Sequence, residues 1–340
     1  MSFFVIAVIV LFFVIIFQIA KASEYVSVLK GEEKAMEQSN RVNGFLMLSF
    51  LVLGLIGIWW CQKQLGSKIL PVSASKEGET IDTMMWWTLG ITGFVLVLTQ
   101  ILLFWYAYKY QYKKDQKAYY FPHNNKLEMI WTIIPAVVMT GLVAFGMINW
   151  LKMTREAPRN AFKVGIVGKQ FGWYYHYPGP DNKLGRRNVH EIKEGLNDIG
   201  LDFKDKAALD DIVLNDTMYL VKDSIVDMTI QSRDVIHDVG LPHFRMKMDA
   251  VPDMPTKLKF TPHRTTAEMR TITGNPDFVY EIACDQMCGN GHYKMRGYIY
   301  VGSGSDFRSW IGSKQSAYSQ YMQAMEAEKN KKAAPVAANK

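Results

Sequence analysis

Residues 284–295, CDQMCGNGHYKM, place two cysteines, one histidine and one methionine within twelve positions. Cys284, Cys288, His292 and Met295 thus offer two thiols, an imidazole and a thioether, the donor types that copper prefers. Taken singly, these residues say little. A Cys-x3-Cys pair outside a reducing compartment usually closes a disulfide, a lone His is usually an ordinary polar side chain, and the chain has 19 methionines. Their combination points to a metal. Two thiolates could bridge a pair of copper ions, and each ion would still need an imidazole. SRDVIHDVGLPHFRMKMDAVP (232–252) supplies the second one: His237 ends a strand-like run, with Asp234 three residues before it. His243 is the alternative donor, less well suited because Pro242 precedes it and the strand register favours His237. A tetrahedral zinc on Cys2His2 and a plain disulfide remain alternative readings, although zinc leaves Met295 and the CGNG turn without a role.

Such a loop needs a rigid scaffold, and the residues after about 162 supply one. FKVGIVGKQFGWYYHY, TMYLVKDSIVDMTIQS, KLKFTP, DFVYEIAC and MRGYIYVG are short runs rich in Val, Ile, Tyr and Phe, punctuated by turn residues. This pattern predicts an antiparallel all-β sandwich or barrel. No Gly-rich phosphate loop and no βαβ alternation interrupts it. Residues 178–216 read as a polar insertion, whose part from 191 to 216 holds eight acidic residues and three lysines. A solvated loop is the ordinary reading of that charge run, and an acidic docking face is the functional one. The Lys/Ala-rich stretch 316–340 reads as a flexible C-terminal tail.

The first 150 residues are different in kind. Four apolar stretches, 3–20, 44–61, 85–107 and 130–150, each approach the ~20 residues needed to cross a bilayer. Lys109, Lys113, Lys114, Lys117 and Lys126 against Asp115 alone place the loop 109–127 in the cytoplasm. With four retained helices the loop 21–43 is also inside, and everything after 150 lies outside. A cleaved signal at IAKAS would reverse that scheme, but no Lys or Arg precedes the first apolar run. The net charge of +7 comes from scattered basic residues rather than a dense stripe, so no nucleic-acid partner is expected. In NKLEMIWTIIPAVVM (125–139), Glu128 has two readings: a residue favoured by the helix N-terminus, or a carboxylate kept near the membrane to handle protons.

Together these motifs are identified with a known family. "DVIH…P…K.D..P" followed by "C..MCG..H..M" resembles the binuclear copper domain of cytochrome c oxidase subunit 2. LEMIWTIIPAVV resembles that family's second transmembrane helix and GKQFGWYYHY its aromatic strand, so the likeness runs over roughly residues 85–310. The resemblance implies four transmembrane helices followed by a cupredoxin-like Greek-key sandwich. Residues 1–61 would be an extra N-terminal helix pair, 62–150 the family's helix hairpin, 151–315 an extracytoplasmic copper domain and 316–340 the tail. It further implies that Cys284 and Cys288 bridge two coppers, that His237 and His292 each cap one, and that Met295 and the carbonyl of Gln286 are axial ligands. Phe171 stands where the family has the exposed Trp at which electrons arrive, with Trp173 retained two residues on. Glu128 matches a carboxylate at the mouth of a proton pathway, and Asp234, Lys247 and Asp249 match positions near the subunit interface that fix the ligand loops. Gln286 replaces a Glu that often helps to hold magnesium, and a neutral amide is a poorer ligand for that hard cation, so magnesium is not expected.

By this resemblance the chain receives electrons from a c-type cytochrome and passes them to haem in subunit 1, where oxygen is reduced to water and protons are pumped. The expected location is a bacterial inner membrane. Expected partners are subunit 1, further oxidase subunits and membrane lipid, with the extra helices packing on further subunits or on a quinol-oxidising cytochrome c reductase. Haem belongs to the partner, since no Cys-x-x-Cys-His occurs in the chain. A quinol oxidase subunit 2 would lack the copper ligands. A nitrous oxide reductase would need a His-rich catalytic domain that seven histidines cannot furnish. A copper carrier would have no use for Glu128.

Overall fold

A computed structural model describes residues 3–117 and 119–333. Four long helices come first: α1 (Phe3–Lys30), α2 (Glu32–Leu65), α3 (Lys76–Lys109) and α4 (Asn125–Thr154). All four are long and apolar enough to cross a membrane. They run several turns past the expected apolar stretches because the flanking polar residues also favour helix. Glu32 and Glu33 open α2, and Glu77 and Glu79 open α3, while Lys109 closes it, each charge complementing the helix dipole.

The chain divides into two compact units. One comprises residues 1–70 and 87–137. Within it α2 lies on the C-terminal part of α3: Gly44 is buried against the Tyr108 ring, and Phe50 meets Phe104 with centroids 5.6 Å apart. Lys114 Nζ also reaches Glu33 Oε2 at 2.6 Å. That ion pair brings the start of α2 and the loop after α3 to the same end of the two helices.

The second unit comprises residues 71–86 and 138–340. It contains two five-stranded sheets, ordered β3-β2-β1-β5-β8 and β4-β10-β9-β6-β7. The first holds β1 (Phe162–Lys169), β2 (Gly172–Tyr177), β3 (Ile212–Leu214), β5 (Val226–Ser232) and β8 (Thr256–Phe260). The second holds β4 (Thr217–Val221), β6 (His237–Leu241), β7 (Met246–Ala250), β9 (Tyr280–Cys284) and β10 (Arg296–Gly302). Six of the eight pairings are antiparallel, but β1–β5 and β4–β10 run parallel. A wholly antiparallel expectation is corrected there, because partners far apart in sequence need no hairpin and can pair in either sense.

Val164, Ile166, Met228, Ile230 and Phe260 of one sheet meet Met218, Leu220, Val239, Tyr280 and Ile282 of the other in a core closed to solvent. β5 and β9 alternate buried and half-buried residues, as strands with one covered face do. β1 and β2 are buried on both faces, because the insertion after β2 covers their outer side. There Val167 and Tyr174 join Ile199, Leu201 and Ala208 in a second cluster. The insertion is therefore a packed layer. Several of its acids are already engaged: Glu194 and Asp198 by Arg233, Asp202 and Asp205 by Arg186.

Residues 71–86, which lie within the expected helix hairpin, form one compact unit with the strands. Ala74 is fully buried, its N–H donates to the His243 carbonyl at 2.7 Å, and Ser75 Oγ donates to the Phe244 carbonyl at 2.7 Å. Arg245 then grips Asp82 with two bonds of 2.7 and 3.0 Å. Of the expected flexible tail, residues 317–333 form helix α5 (Ala317–Ala333), and residues 334–340 lie outside the described residues. The first turns of α5 dock on the insertion, where the Tyr318 and Tyr321 rings pack at a tilt against Phe203 with centroids 5.2 and 5.1 Å away. Aromatic burial outweighs the polar composition that suggested fraying.

Candidate metal centre

Three neighbouring strands of the second sheet carry the candidate donors. His237 begins β6, Cys284 ends β9, and Met295 stands immediately before β10. Val239 pairs with Cys284 across β6 and β9, and the Cys284 N–H donates to the Met295 carbonyl at 3.1 Å. Both ends of the 284–295 loop are thus anchored in the sheet. Inside the loop, the His292 N–H donates to the Gly289 carbonyl and the Met295 N–H to the His292 carbonyl, each at 3.1 Å, closing a single helical turn. That turn carries His292 back toward Cys288.

The sulfur atoms of Cys284 and Cys288 lie 3.8 Å apart, both thiols are free, and both residues are buried. Each sulfur has its own imidazole. Cys284 Sγ is 3.8 Å from His237 Nδ1, and Cys288 Sγ is 3.7 Å from His292 Nδ1. Two further donors complete the set: Met295 Sδ at 3.8 Å from Cys288 Sγ, and the Gln286 carbonyl oxygen at 3.1 Å from Cys284 Sγ. His237, Cys284 and Cys288 present one donor atom each within 4.8 Å of one another. Six donors with two central sulfurs exceed the four of a single tetrahedral zinc, and soft sulfur with imidazole suits copper. The residues fit a copper pair.

The surroundings fix these donors. His237 is fully buried, and its Nε2 meets Asp234 Oδ1 at 2.8 Å, which leaves Nδ1 turned to the sulfurs. Burial alone would raise the Asp234 carboxyl. The N–H of Gln170, at 2.7 Å, the His237 ring and the N–H of Val235 outweigh it and hold the group below its ordinary range. The Cys288 thiol is pushed up to about 11 by burial and by the neighbouring Cys284 thiol. A metal held by this sulfur would have to displace the thiol proton.

Trp173 is buried and packs edge-on to His237, with centroids 6.0 Å apart. Phe171 is 42% exposed and lies over the loop; a Cβ on Gly291 would sit 2.5 Å from its ring. Of the two aromatics expected to receive electrons, one faces solvent and the other touches a candidate ligand. Lys247 Nζ approaches Asp238 at 3.7 Å and Asp285 at 4.0 Å, the residues that follow His237 and Cys284. Asp249 pairs with Asp238 across β6 and β7. Burial, then a hydrogen bond to Asp249, raises the Asp238 carboxyl to about 7, against the pull of Lys247.

His243, the alternative donor, packs on Phe278 and Tyr280, and its backbone holds Ala74. Glu128 sits in the first turn of α4, where its Oε1 accepts from the Asn124 N–H at 3.3 Å and Asn124 Oδ1 accepts from the Leu127 N–H at 3.1 Å. It thus helps to cap the helix. Gln170 contacts both Asp234 and the Cys288 carbonyl, and no sequence pattern marks it.

Two family descriptions match the chain. "Cytochrome C oxidase subunit II, transmembrane domain" matches residues 57–147, and "Cytochrome C oxidase subunit II, periplasmic domain" matches residues 162–301. The chain is similar to the alternative cytochrome c oxidase subunit 2 of Bradyrhizobium diazoefficiens, with 31% identity over 234 residues, 68% of this chain and 78% of that protein. It is similar to the cytochrome c oxidase subunit 2 of Cereibacter sphaeroides, with 25% identity over 257 residues, 70% of this chain and 77% of that protein. Among solved structures, the periplasmic domain of subunit II of cytochrome oxidase from Bradyrhizobium japonicum aligns with 48% of this chain and 96% of its own, at 23% identity and a TM-score of 0.31.

Proposed function

The chain belongs to the cytochrome c oxidase subunit II family, and from that premise we propose that it is the subunit through which electrons enter a haem–copper oxidase. It is a membrane protein whose sandwich is the family's periplasmic domain, and the family implies copper. The finer reading is a pair of coppers held by Cys284, Cys288, His237, His292, Met295 and the Gln286 carbonyl. One observation carries it: each of two adjacent thiols has its own imidazole, so the donors form two lobes about a shared pair of sulfurs.

Cys284, Cys288, His237 and His292 would hold the coppers, which when bound would supply one-electron uptake and release. The residues of the chain do the rest. Asp234 orients the His237 ring and keeps its proton on the nitrogen facing away from the sulfurs. Burial of Cys284, Cys288 and Met295 keeps water from their sulfur atoms. Phe171 offers an exposed aromatic edge to an incoming c-type cytochrome, and Trp173 lines the inner side against His237. Lys247 and Asp249 brace the strands that carry the ligands. Glu128, besides capping α4, stands at the mouth of a proton pathway into subunit 1, where haem completes oxygen reduction coupled to proton pumping. The location is a bacterial inner membrane. Partners are subunit 1, further oxidase subunits and lipid, with the α1–α2 pair available to further subunits or to a quinol-oxidising cytochrome c reductase.

The test is copper per chain and the electron paramagnetic resonance spectrum of the purified oxidase. Two coppers sharing one unpaired electron, lost in Cys284→Ser, are expected. One copper or zinc in the wild-type protein would overturn the two-copper assignment.

A further inference from the structure

The candidate donors come from one sheet, yet a residue of the other sheet ties their two halves together. Gln170 and Phe171 form the two-residue turn between β1 and β2, since Lys169 pairs with Gly172. The Gln170 backbone N–H donates to Asp234 Oδ2 at 2.7 Å, and Asp234 Oδ1 meets His237 Nε2 at 2.8 Å. The Gln170 side-chain Nε2 donates to the Cys288 carbonyl at 2.6 Å. One residue therefore reaches the His237 side of the donor set through its backbone and the cysteine loop through its side chain. The loop is shaped to admit it: a Cβ on Gly289 would lie 2.9 Å from Gln170 Nε2, and Gly289 has φ +130°, where side-chain-bearing residues are rare.

We propose that Gln170 is a positioning residue for the copper pair, a clasp that holds the Cys288–His292 arm in register with the Asp234–His237 arm. The inference rests on the two-copper reading and adds to it a contact outside the donor set. Between anchors at Cys284 and Met295, the Cys288 peptide has no strand partner. Its carbonyl is held by the Gln170 amide, so without that bond the loop and Cys288 Sγ are free to shift against His237. Groups one bond removed from ligands usually affect metal affinity by about 10–100-fold.

The experiment compares wild type with Gln170→Glu and Gln170→Leu in the assembled oxidase. Gln170→Glu keeps the size and the backbone bond to Asp234 but has no side-chain N–H for the Cys288 carbonyl. Both variants are expected to retain two coppers per chain, to show an altered copper hyperfine pattern, and to lose copper to an excess chelator about tenfold faster. A merely structural turn residue would leave the hyperfine pattern unchanged. Wild-type spectra and copper-loss rates in both variants would overturn the clasp while leaving the two-copper site standing. Fewer than two coppers in the wild-type oxidase would overturn the reading on which the clasp rests.

Discussion

At the scale of single residues, the candidate donor His237 and the residues that brace its strand differ sharply in how they are held. His237 is enclosed and oriented by a carboxylate at 2.8 Å, whereas Lys247 is exposed and makes ion pairs of 3.7 and 4.0 Å. Asp234→Asn should therefore weaken copper binding about 10–100-fold, read by chelator competition. Lys247→Ala should change it far less, since exposed pairs contribute about 1 kcal/mol at most. The candidate donor set was legible because four soft or imidazole groups fall within twelve residues, and Asp234 precedes His237 by three residues. Gln170 was not legible. A glutamine in a turn carries no pattern, and its partners stand 64 and 118 residues away, brought near only by the packing of two sheets.

At the scale of elements, the turn between β6 and β7 joins the sandwich to the segment preceding α3. His243 in that turn has a buried Nδ1 without a partner among the described residues, and burial, with Arg245 adding to it, lowers its pKa from 6.5 to about 4. Between those values the unfolded chain binds the proton more readily, so stability present above pH 6.5 is lost as pH falls toward 4. Thermal unfolding should show a smaller loss between pH 7 and pH 4.5 in His243→Gln, which cannot take up that proton. Breaking the Arg245–Asp82 grip with Asp82→Asn should cost up to about 3 kcal/mol, read as a lowered Tm, because it leaves a nearly enclosed guanidinium short of its charge partner. The strands that alternate, such as β5 and β9, were plain in the sequence. The PVSAS segment at 71–75 was not, since five small residues have neither period nor hydrophobic mass and gain their place from hydrogen bonds to 243, 244 and 263 and from burial of Ala74. The docking of α5 was hidden for a related reason: two tyrosines in a Lys/Ala-rich stretch show no stripe until Phe203 meets them.

At the scale of the whole molecule, the N-terminal helix pair is attached through α2 to α3 by small-to-large packing at Gly44. Gly44→Leu should force Tyr108 aside and loosen that attachment, altering which subunits co-purify while the copper spectrum stays as in wild type. Unchanged subunit composition would show that Gly44 does not control the association. The four long apolar helices were readable from hydropathy alone, but the extent of the β unit was not, because it includes residues 71–86, separated in sequence from the strands by most of α3 and α4. This has a consequence for biogenesis. Ser75 is translated before α3 and its bridge partner Pro262 after α4, so the two can meet only once both helices have been threaded with their outer ends on the same face. A nascent chain inserted with this hairpin inverted, or with one passage missed, would strand the 71–86 segment on the wrong side of the bilayer. Completion of the sandwich then acts as a topological checkpoint, and a metal site that depends on the finished sandwich would mature only in chains that have passed it.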